Sequence, residues 1–378
     1  MSTQPLLPTT NATPARPEHE QPYEPASSAL TWWAAASFAA IIGFSRISYG
    51  LLLPSIRADL RGAYSVYGLV STANFVGYLL GTLVIPLLIA RYRDLLKLNS
   101  GALLLMNGTI IASALSFNLL QLSVWRFLIG FFSSVALVLT LSLTLERVRP
   151  EERGRASGIV WMGASLGVVI SGLIAPPILS VGSSLAWRLV WIAMGVSGIA
   201  AVFGLHRALR PREDRPLPSG ERTHDVQPTR AEHNMVSLLV ELLQPRGFLF
   251  ATLSYFGCGF GYIIYLTFFV ALVIQQGLPS LLVGLIWAAM GVAGAVSGLI
   301  WGPAIDRWPT GFTVALTLGL GALGALSVLT QQILLEAAGA ALFGMSVFLG
   351  PPLMITFLLR RTKPRHGWFT NPGSDIDR

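Results

Sequence analysis

Apolar runs of about twenty residues recur along the chain, separated by short polar stretches that are rich in arginine. Each run is near the length a helix needs to cross the hydrocarbon of a bilayer. The pattern predicts helical spans at 31–55, 65–90, 98–118, 120–146, 156–180, 185–205, 248–273, 279–303, 310–330 and 333–359. Between the sixth and seventh spans the pattern lapses into a Pro-rich, charged stretch at 206–246, which ends in the short amphipathic segment MVSLLVELLQ. The expected architecture is therefore an all-α polytopic membrane protein of about ten transmembrane helices, six plus four, joined by a linker. A tail at 1–30 precedes the first bundle (31–205), and a second, four-span bundle (247–359) is followed by a tail at 360–378.

Composition agrees with this pattern. Hydrophobic residues make up 53% of the 378 and charged residues only 12%, against about 25% charged in ordinary soluble proteins. A soluble enzyme of this size would carry a charge every few positions. The net charge of +8 is spread over the connections between spans, so it does not form the basic face that nucleic acid needs. Arginines and lysines crowd the loops after the second and fourth spans, the linker and the stretch after the tenth. The opposite loops are short and hold Arg57 and Arg61 in the first and Arg188 at the edge of the third. The positive-inside bias then predicts both termini in the cytoplasm, and a plasma (inner) membrane is the expected location. The N-terminal tail, polar and Pro-rich, has no apolar core of a signal peptide. Its sequon at Asn11 would lie on the cytoplasmic side. Cys258 is the single cysteine, so no intramolecular disulfide is available.

A shift of 216 positions lays 43–92 on 259–308 without a gap. Gly43, Phe44, Ile47 and Tyr49 meet Gly259, Phe260, Ile263 and Tyr265, and Gly68, Leu69, Ala73 and Arg91 meet Gly284, Leu285, Ala289 and Arg307. The small-residue series Ala73, Gly77, Gly81 meets Ala289, Ala293, Ser297, and four-residue spacing puts each series on one helix face. Two parallel repeats joined by a linker predict two similar helical bundles side by side.

The stretches GFSRISYGLLLPSI, STANFVGYLLG and WRFLIG in the first half, with GFGYIIYLTF and SGLIWGPAIDRW in the second, resemble the major facilitator superfamily and most of all its YbfB/YjiJ-type branch. The resemblance implies a two-bundle secondary transporter of a small solute. Gly302, Asp306 and Arg307 match its cytoplasmic latch motif, whose first-half counterpart is degraded to Pro86, Ala90 and Arg91. Arg126 and Gly130 match its fourth-span motif. RGRASG at 153–158 and WRLVW at 187–191 resemble further family stretches, and the fifth-span antiporter motif is only approximate. Members usually have twelve spans; no apolar run follows the tenth here, so the expectation is a ten-span variant or a truncated form.

Two charges fall well inside the spans, Arg46 and Arg126, while Glu336 is placed near the outer end of the tenth. A guanidinium near mid-membrane costs about 2.5–3.5 kcal/mol on insertion scales, and it matches a carboxylate bidentately. With no Asp, His or Lys at mid-membrane, a cavity for a small organic anion is expected. Arg46 would be the clamp, with Tyr49 three residues on sharing its face, and Tyr262 and Tyr265 on the aligned helix. Arg126, Asn74 and Tyr78 would be further contacts, and Trp161 and Trp287 would be cavity walls. Each has a structural alternative: guanidinium binding to freed carbonyls, Asn74 bridging helices, aromatics packing. No nucleophile–base pair, metal cluster or phosphate loop lies in the spans, so neither enzyme chemistry nor a metal or cofactor is expected. The sequence does not name the coupling ion. The alternative to a transporter is a transport-inactive receptor or scaffold that retains the fold.

Overall fold

The computed structural model describes residues 28–210, 246–308 and 310–347, with the backbone alone at 150, 246–252, 254–255, 299–300, 302–306 and 310. The two tails, the amphipathic segment of the linker, the sequon and the last part of the expected tenth span lie outside the described residues. The helices are α1 (Ser28–Leu60), α2 (Tyr64–Arg91), α3 (Leu95–Ser113), α4 (Leu119–Glu146), α5 (Arg153–Leu179), α6 (Ala186–Leu209), α7 (Arg246–Gln275), α8 (Ser280–Arg307), α9 (Thr310–Leu326) and α10 (Ile333–Val347). Among the described residues nine segments are long and apolar enough to cross a membrane, and α10 is a shorter apolar helix.

Sequence signals fix several ends. Asp94 and Asn118 cap α3 and α4, accepting from Lys97 N at 2.9 Å and Gln121 N at 2.8 Å, as short polar side chains do for otherwise orphaned amides. The Asn118 cap also explains why α3 stops at Ser113 while the apolar pattern runs on to 118. Arg61 and Gly62, at φ 56° and 124°, turn the chain between α1 and α2. α6 extends to Leu209, four residues past the expected end of the first bundle.

Burial is inverted relative to a soluble protein. On α2 the inward face is Tyr67, Val70, Ser71, Asn74, Gly77, Gly81 and Ile85, while Leu69, Leu79, Leu83 and Leu87 are exposed. Apolar side chains face lipid, and small or polar ones face the partner helix, where backbones approach closely. Such an approach joins α2 to α4: a Cβ added to Gly77 would run into the Phe127 carbonyl, and one added to Gly130 into that of Asn74. In the other half the small-residue series behaves differently. Ala289 is exposed, and α8 instead meets α5 through Gly284 and Gly291, beside Gly172 and Val169.

α1 lies at the centre of the first bundle, with 89% of its apolar window buried, and packs against α4, α5 and α6. The two bundles touch through α1 on α7 and α5 on α8. The contacts concentrate toward one end: Gly50 abuts the Leu266 carbonyl, Gly284 abuts Pro176, Ser71 Oγ and Thr267 Oγ1 are 3.2 Å apart, and Gln275 Nε2 donates to Tyr64 OH at 3.2 Å. At the other end, where the Arg-rich connections lie, a Cβ on Gly154, Gly158, Gly257 or Gly298 would meet no described atom within 4 Å. Among the described residues, the close contacts between bundles gather at the arginine-poor end.

The α2–α4 contact predicts a sharp contrast between two glycines. Gly77→Ala overpacks backbone against backbone and should cost about 3 kcal/mol, whereas Gly108→Ala meets no atom within 4 Å and should gain up to about 1 kcal/mol of helix propensity. Thermal unfolding in detergent reads both; equal midpoints would rule out the close approach.

Candidate functional site

The helix that carries Arg46 is not uniformly α-helical. Ala39–Ile47 winds as a π-helix, with Ser48 N bonded back to Gly43 O. Extra hydroxyls support the widened turn: Ser45 Oγ donates to Ile41 O and Ser48 Oγ to Gly43 O at 2.9 Å. Gly43 makes room for it, because a Cβ there would come within 2.7 Å of the Gly167 Cα on α5. π-Helical insertions leave carbonyls without their usual partners and recur at functional sites. Here Arg126 of α4 takes one of them, donating from Nη1 to Ser45 O.

Arg126 is fully buried. Its guanidinium carbon lies 4.5 Å from the ring centre of Tyr49 and 5.8 Å from that of Trp191. Its backbone carbonyl accepts from Asn74 Nδ2 at 2.9 Å. A relay thus crosses three helices: α2 holds the α4 backbone, and an α4 side chain holds the α1 backbone.

Arg46 sits on the other side of the π-helical turn. Its guanidinium carbon is 4.1 Å from the Tyr78 ring centre and 5.3 Å from that of Phe75, both on α2. Tyr262 of α7 closes the group from the second bundle, electrostatically coupled to Arg46 and packed edge-on against Phe75 with ring centres 6.3 Å apart. All four side chains are half-buried, as cavity walls are. Nε and Nη2 of Arg46 are buried without a hydrogen-bond acceptor, as are those of Arg126. The two arginines are also coupled to each other. The acids of the described first bundle lie elsewhere: Asp59 pairs with Arg188 at 2.9 Å, Asp94 pairs with Lys97 at 3.1 Å, and Glu146, Glu151 and Glu152 are exposed. The centre of the bundle carries two guanidinium groups and no described carboxylate.

Comparison with known proteins assigns this architecture. The family model described as uncharacterised MFS-type transporter YbfB matches residues 38–366. The chain belongs to that YbfB-type family of the major facilitator superfamily. A bacterial homologue of the human lysosomal transporter Spinster, solved inward-facing and unoccupied, superposes with a TM-score of 0.65 at 16% identity, covering 90% of this chain and 80% of that one. A D-xylose–proton symporter gives 0.63 at 14% identity over 86% and 81%, and the nucleoside transporter NupG gives 0.68 at 10% over 88% and 84%. An uncharacterized transporter, mfc1 of Schizosaccharomyces pombe, is 33% identical over 136 residues, 34% of this chain. That stretch spans about a quarter of the relative's own length (26%).

Within this YbfB-type transporter the candidate residues divide into two groups. Arg46, Tyr78 and Tyr262 come together at the bundle interface. Tyr49 does not join them: its hydroxyl donates to Tyr67 O at 3.0 Å, and its ring lies under Arg126. Asn74 is committed to the α4 backbone. Trp287 is fully buried and donates to Ser171 Oγ at 3.3 Å, bridging α8 to α5. Trp161 packs edge-on against Phe38 at 5.5 Å. Tyr265 stacks between Phe269 and Phe343, at 4.8 and 3.8 Å, with a buried hydroxyl that has no partner. Of the latch, Arg307 is exposed at the end of α8, and the side chains of Gly302 and Asp306 lie outside the described ones.

The sequence reading missed Phe75 and misjudged the burial of Glu336. Phe75 is one more apolar residue in a span; only its place next to Asn74 and about one turn before Tyr78 pointed to it. Glu336 is more consequential. It sits in the first turn of α10 yet is fully buried, with both carboxyl oxygens unpartnered and Tyr265 electrostatically coupled to it. Among the described residues it is the one fully buried acid.

The two arginines predict opposite responses to removal. Arg126→Met strands the Ser45 carbonyl and should cost about 1–3 kcal/mol, while Arg46→Met removes a cation that bonds no backbone group and should leave the midpoint unchanged or higher. Thermal unfolding of the purified variants checks this; equal losses would make Arg46 a structural residue.

Proposed function

We propose that the protein is a secondary-active transporter that moves a small organic anion across the plasma (inner) membrane by alternating access, with both termini in the cytoplasm. One observation carries the anion: Arg46 stands at the bundle interface with two buried donors lacking acceptors, backed by a second guanidinium and no described carboxylate. Cation–π contacts with Tyr78 and Phe75 offset part of its cost, about 2 kcal/mol when desolvated, but Nε and Nη2 keep no acceptor. A carboxylate fits those donors bidentately. The aromatic walls Phe75, Tyr78 and Tyr262 suit an apolar or planar body. Bundle contacts gathered at the arginine-poor end are consistent with alternating access, and the Arg-rich connections support a cytoplasmic assignment for the other end.

Glu336 favours proton coupling as the energy source. Intramembrane acids are costly and usually functional, and this one lies in the second bundle, away from the arginines.

Uptake into proteoliposomes tests both parts. A panel of monocarboxylates and dicarboxylates should include a saturable substrate, with neutral sugars inert. Because a hydrogen bond to a charged group contributes about 1.5–3 kcal/mol, Arg46→Gln should lower kcat/KM for that substrate by roughly 10- to 150-fold. Uptake of a neutral solute that Arg46→Gln leaves intact would overturn the anion reading; binding without flux would favour a receptor. Glu336→Gln should abolish accumulation driven by a pH gradient while sparing substrate exchange at equal pH. Loss of both together would argue against a coupling role.

A further inference from the structure

A second polar cluster lies on the outside of the first bundle, remote from Arg46. Where α3 and α6 meet at the Arg-rich end, a groove of about 440 Å³ is lined by Ser100 and Leu104 of α3 and by Phe203, His206, Arg207 and Arg210 of α6. Its residues form two rungs at helical spacing. Phe203 and Arg207, His206 and Arg210, and Ser100 and Leu104 are each four apart and so share a face. The rung toward the membrane centre is apolar and open to lipid, with Phe203 61% and Leu104 40% exposed. The rung toward the aqueous end is basic, and both Arg207 and Arg210 are exposed.

The basic rung is braced from within. Arg210 Nε donates to His206 Nε2 at 3.0 Å, and His206 Nδ1 is 2.7 Å from Ser100 Oγ, which itself donates to Leu96 O at 2.9 Å. Since Arg Nε is always a donor, the imidazole must accept at Nε2 and donate from Nδ1. This chain spends Arg210 Nε and leaves the terminal nitrogens of that guanidinium for a ligand. No acid lines the groove.

We propose that this groove binds one anionic phospholipid from the leaflet beside the Arg-rich end. The headgroup phosphate sits on Arg207 and Arg210, and an acyl chain runs along Phe203 and Leu104. A basic pocket between helices, over a lipid-facing apolar wall, presents the charge and the hydrocarbon contact that such a lipid needs together. A free phosphate ion would use only half of it. The inference is independent of the transported solute and uses the orientation proposed above only to say which leaflet supplies the lipid.

Native mass spectrometry of the full chain in detergent tests this, titrating phosphatidylglycerol, phosphatidylcholine or inorganic phosphate. Wild type should retain one phosphatidylglycerol in preference to phosphatidylcholine, and phosphate should not compete at equal concentration. Each basic residue near an anionic lipid surface contributes roughly 5-fold in affinity. Arg207→Gln with Arg210→Gln should therefore weaken retention roughly 30-fold, and Arg207→Gln alone, at an exposed position with little influence on folding, roughly 5-fold. Arg91→Gln with Arg93→Gln, an equal charge loss at the same end of the protein, should leave it unchanged. Equal weakening in that control would mean general surface attraction, and unaltered retention in the Arg207 and Arg210 variants would place the lipid elsewhere; either overturns the site. Competition by inorganic phosphate would make it an anion site without a lipid.

Discussion

The architecture of the first bundle hangs on one buried donor meeting one freed acceptor. A π-helical stretch inside a membrane span exposes backbone carbonyls that have no water to turn to, and an unsatisfied one costs several kcal/mol in hydrocarbon. Arg126 settles the Ser45 carbonyl, and Asn74 settles the carbonyl of Arg126 in turn. Because α1 is the most enclosed helix and touches α4, α5, α6 and α7, its irregular turn sets how those helices stand around it. The same turn decides which way Arg46 points. A residue that the family resemblance offers as a ligand therefore does its visible work as a fixture, and its neighbour in the sequence of charges is left free.

That division explains what could and could not be read from the chain. Span number and order were legible because a bilayer imposes a length and an apolar period that few soluble folds imitate. That Arg46, Tyr78 and Tyr262 would stand together was legible, because charge and aromatic hydroxyls inside spans are rare enough to stand out. The pairing of Arg46 with Tyr49 failed for a definite reason: residues three apart share a face only at 3.6 residues per turn, and Ala39–Ile47 winds more widely. Tyr49 went to Arg126 and Tyr67 instead. No rule of spacing foretells a π-helix, although the crowding of Ser45, Ser48 and Gly43 around the arginine was a trace of it.

Glu336 illustrates the opposite limit. Its position near a helix start put it close to the aqueous boundary by counting residues, yet burial depends on what packs above it. Here α10 packs closely on α8, and Tyr265 of α7 lies near enough to interact electrostatically with the carboxyl. The acid is thereby covered by tertiary contacts that a one-dimensional reading does not contain.

The closed end of the interface is built from weak elements. Glycine faces bring backbones together, as Gly172 with Gly284 and Gly291 with Val169 do, and few side-chain hydrogen bonds cross: Ser71 with Thr267, Gln275 with Tyr64, Trp287 with Ser171. Each contributes about 1 kcal/mol net, so these three among the described residues contribute roughly 3 kcal/mol beyond packing. A ligand can move an equilibrium only by the difference in its affinity for the two states, and a shift from 1:99 to 99:1 needs about 5.5 kcal/mol. On the proposed reading, a carboxylate on Arg46 that also reached Tyr262 would draw both bundles onto one small molecule. Charge-assisted hydrogen bonds of about 1.5–3 kcal/mol each, two or three of them gained on closure, are of the size required. If an anion binds there as proposed, the polar links among the described residues at the closed end are of the size that a single anion could offset, and a much stronger seam would lock the bundles against any solute of that size.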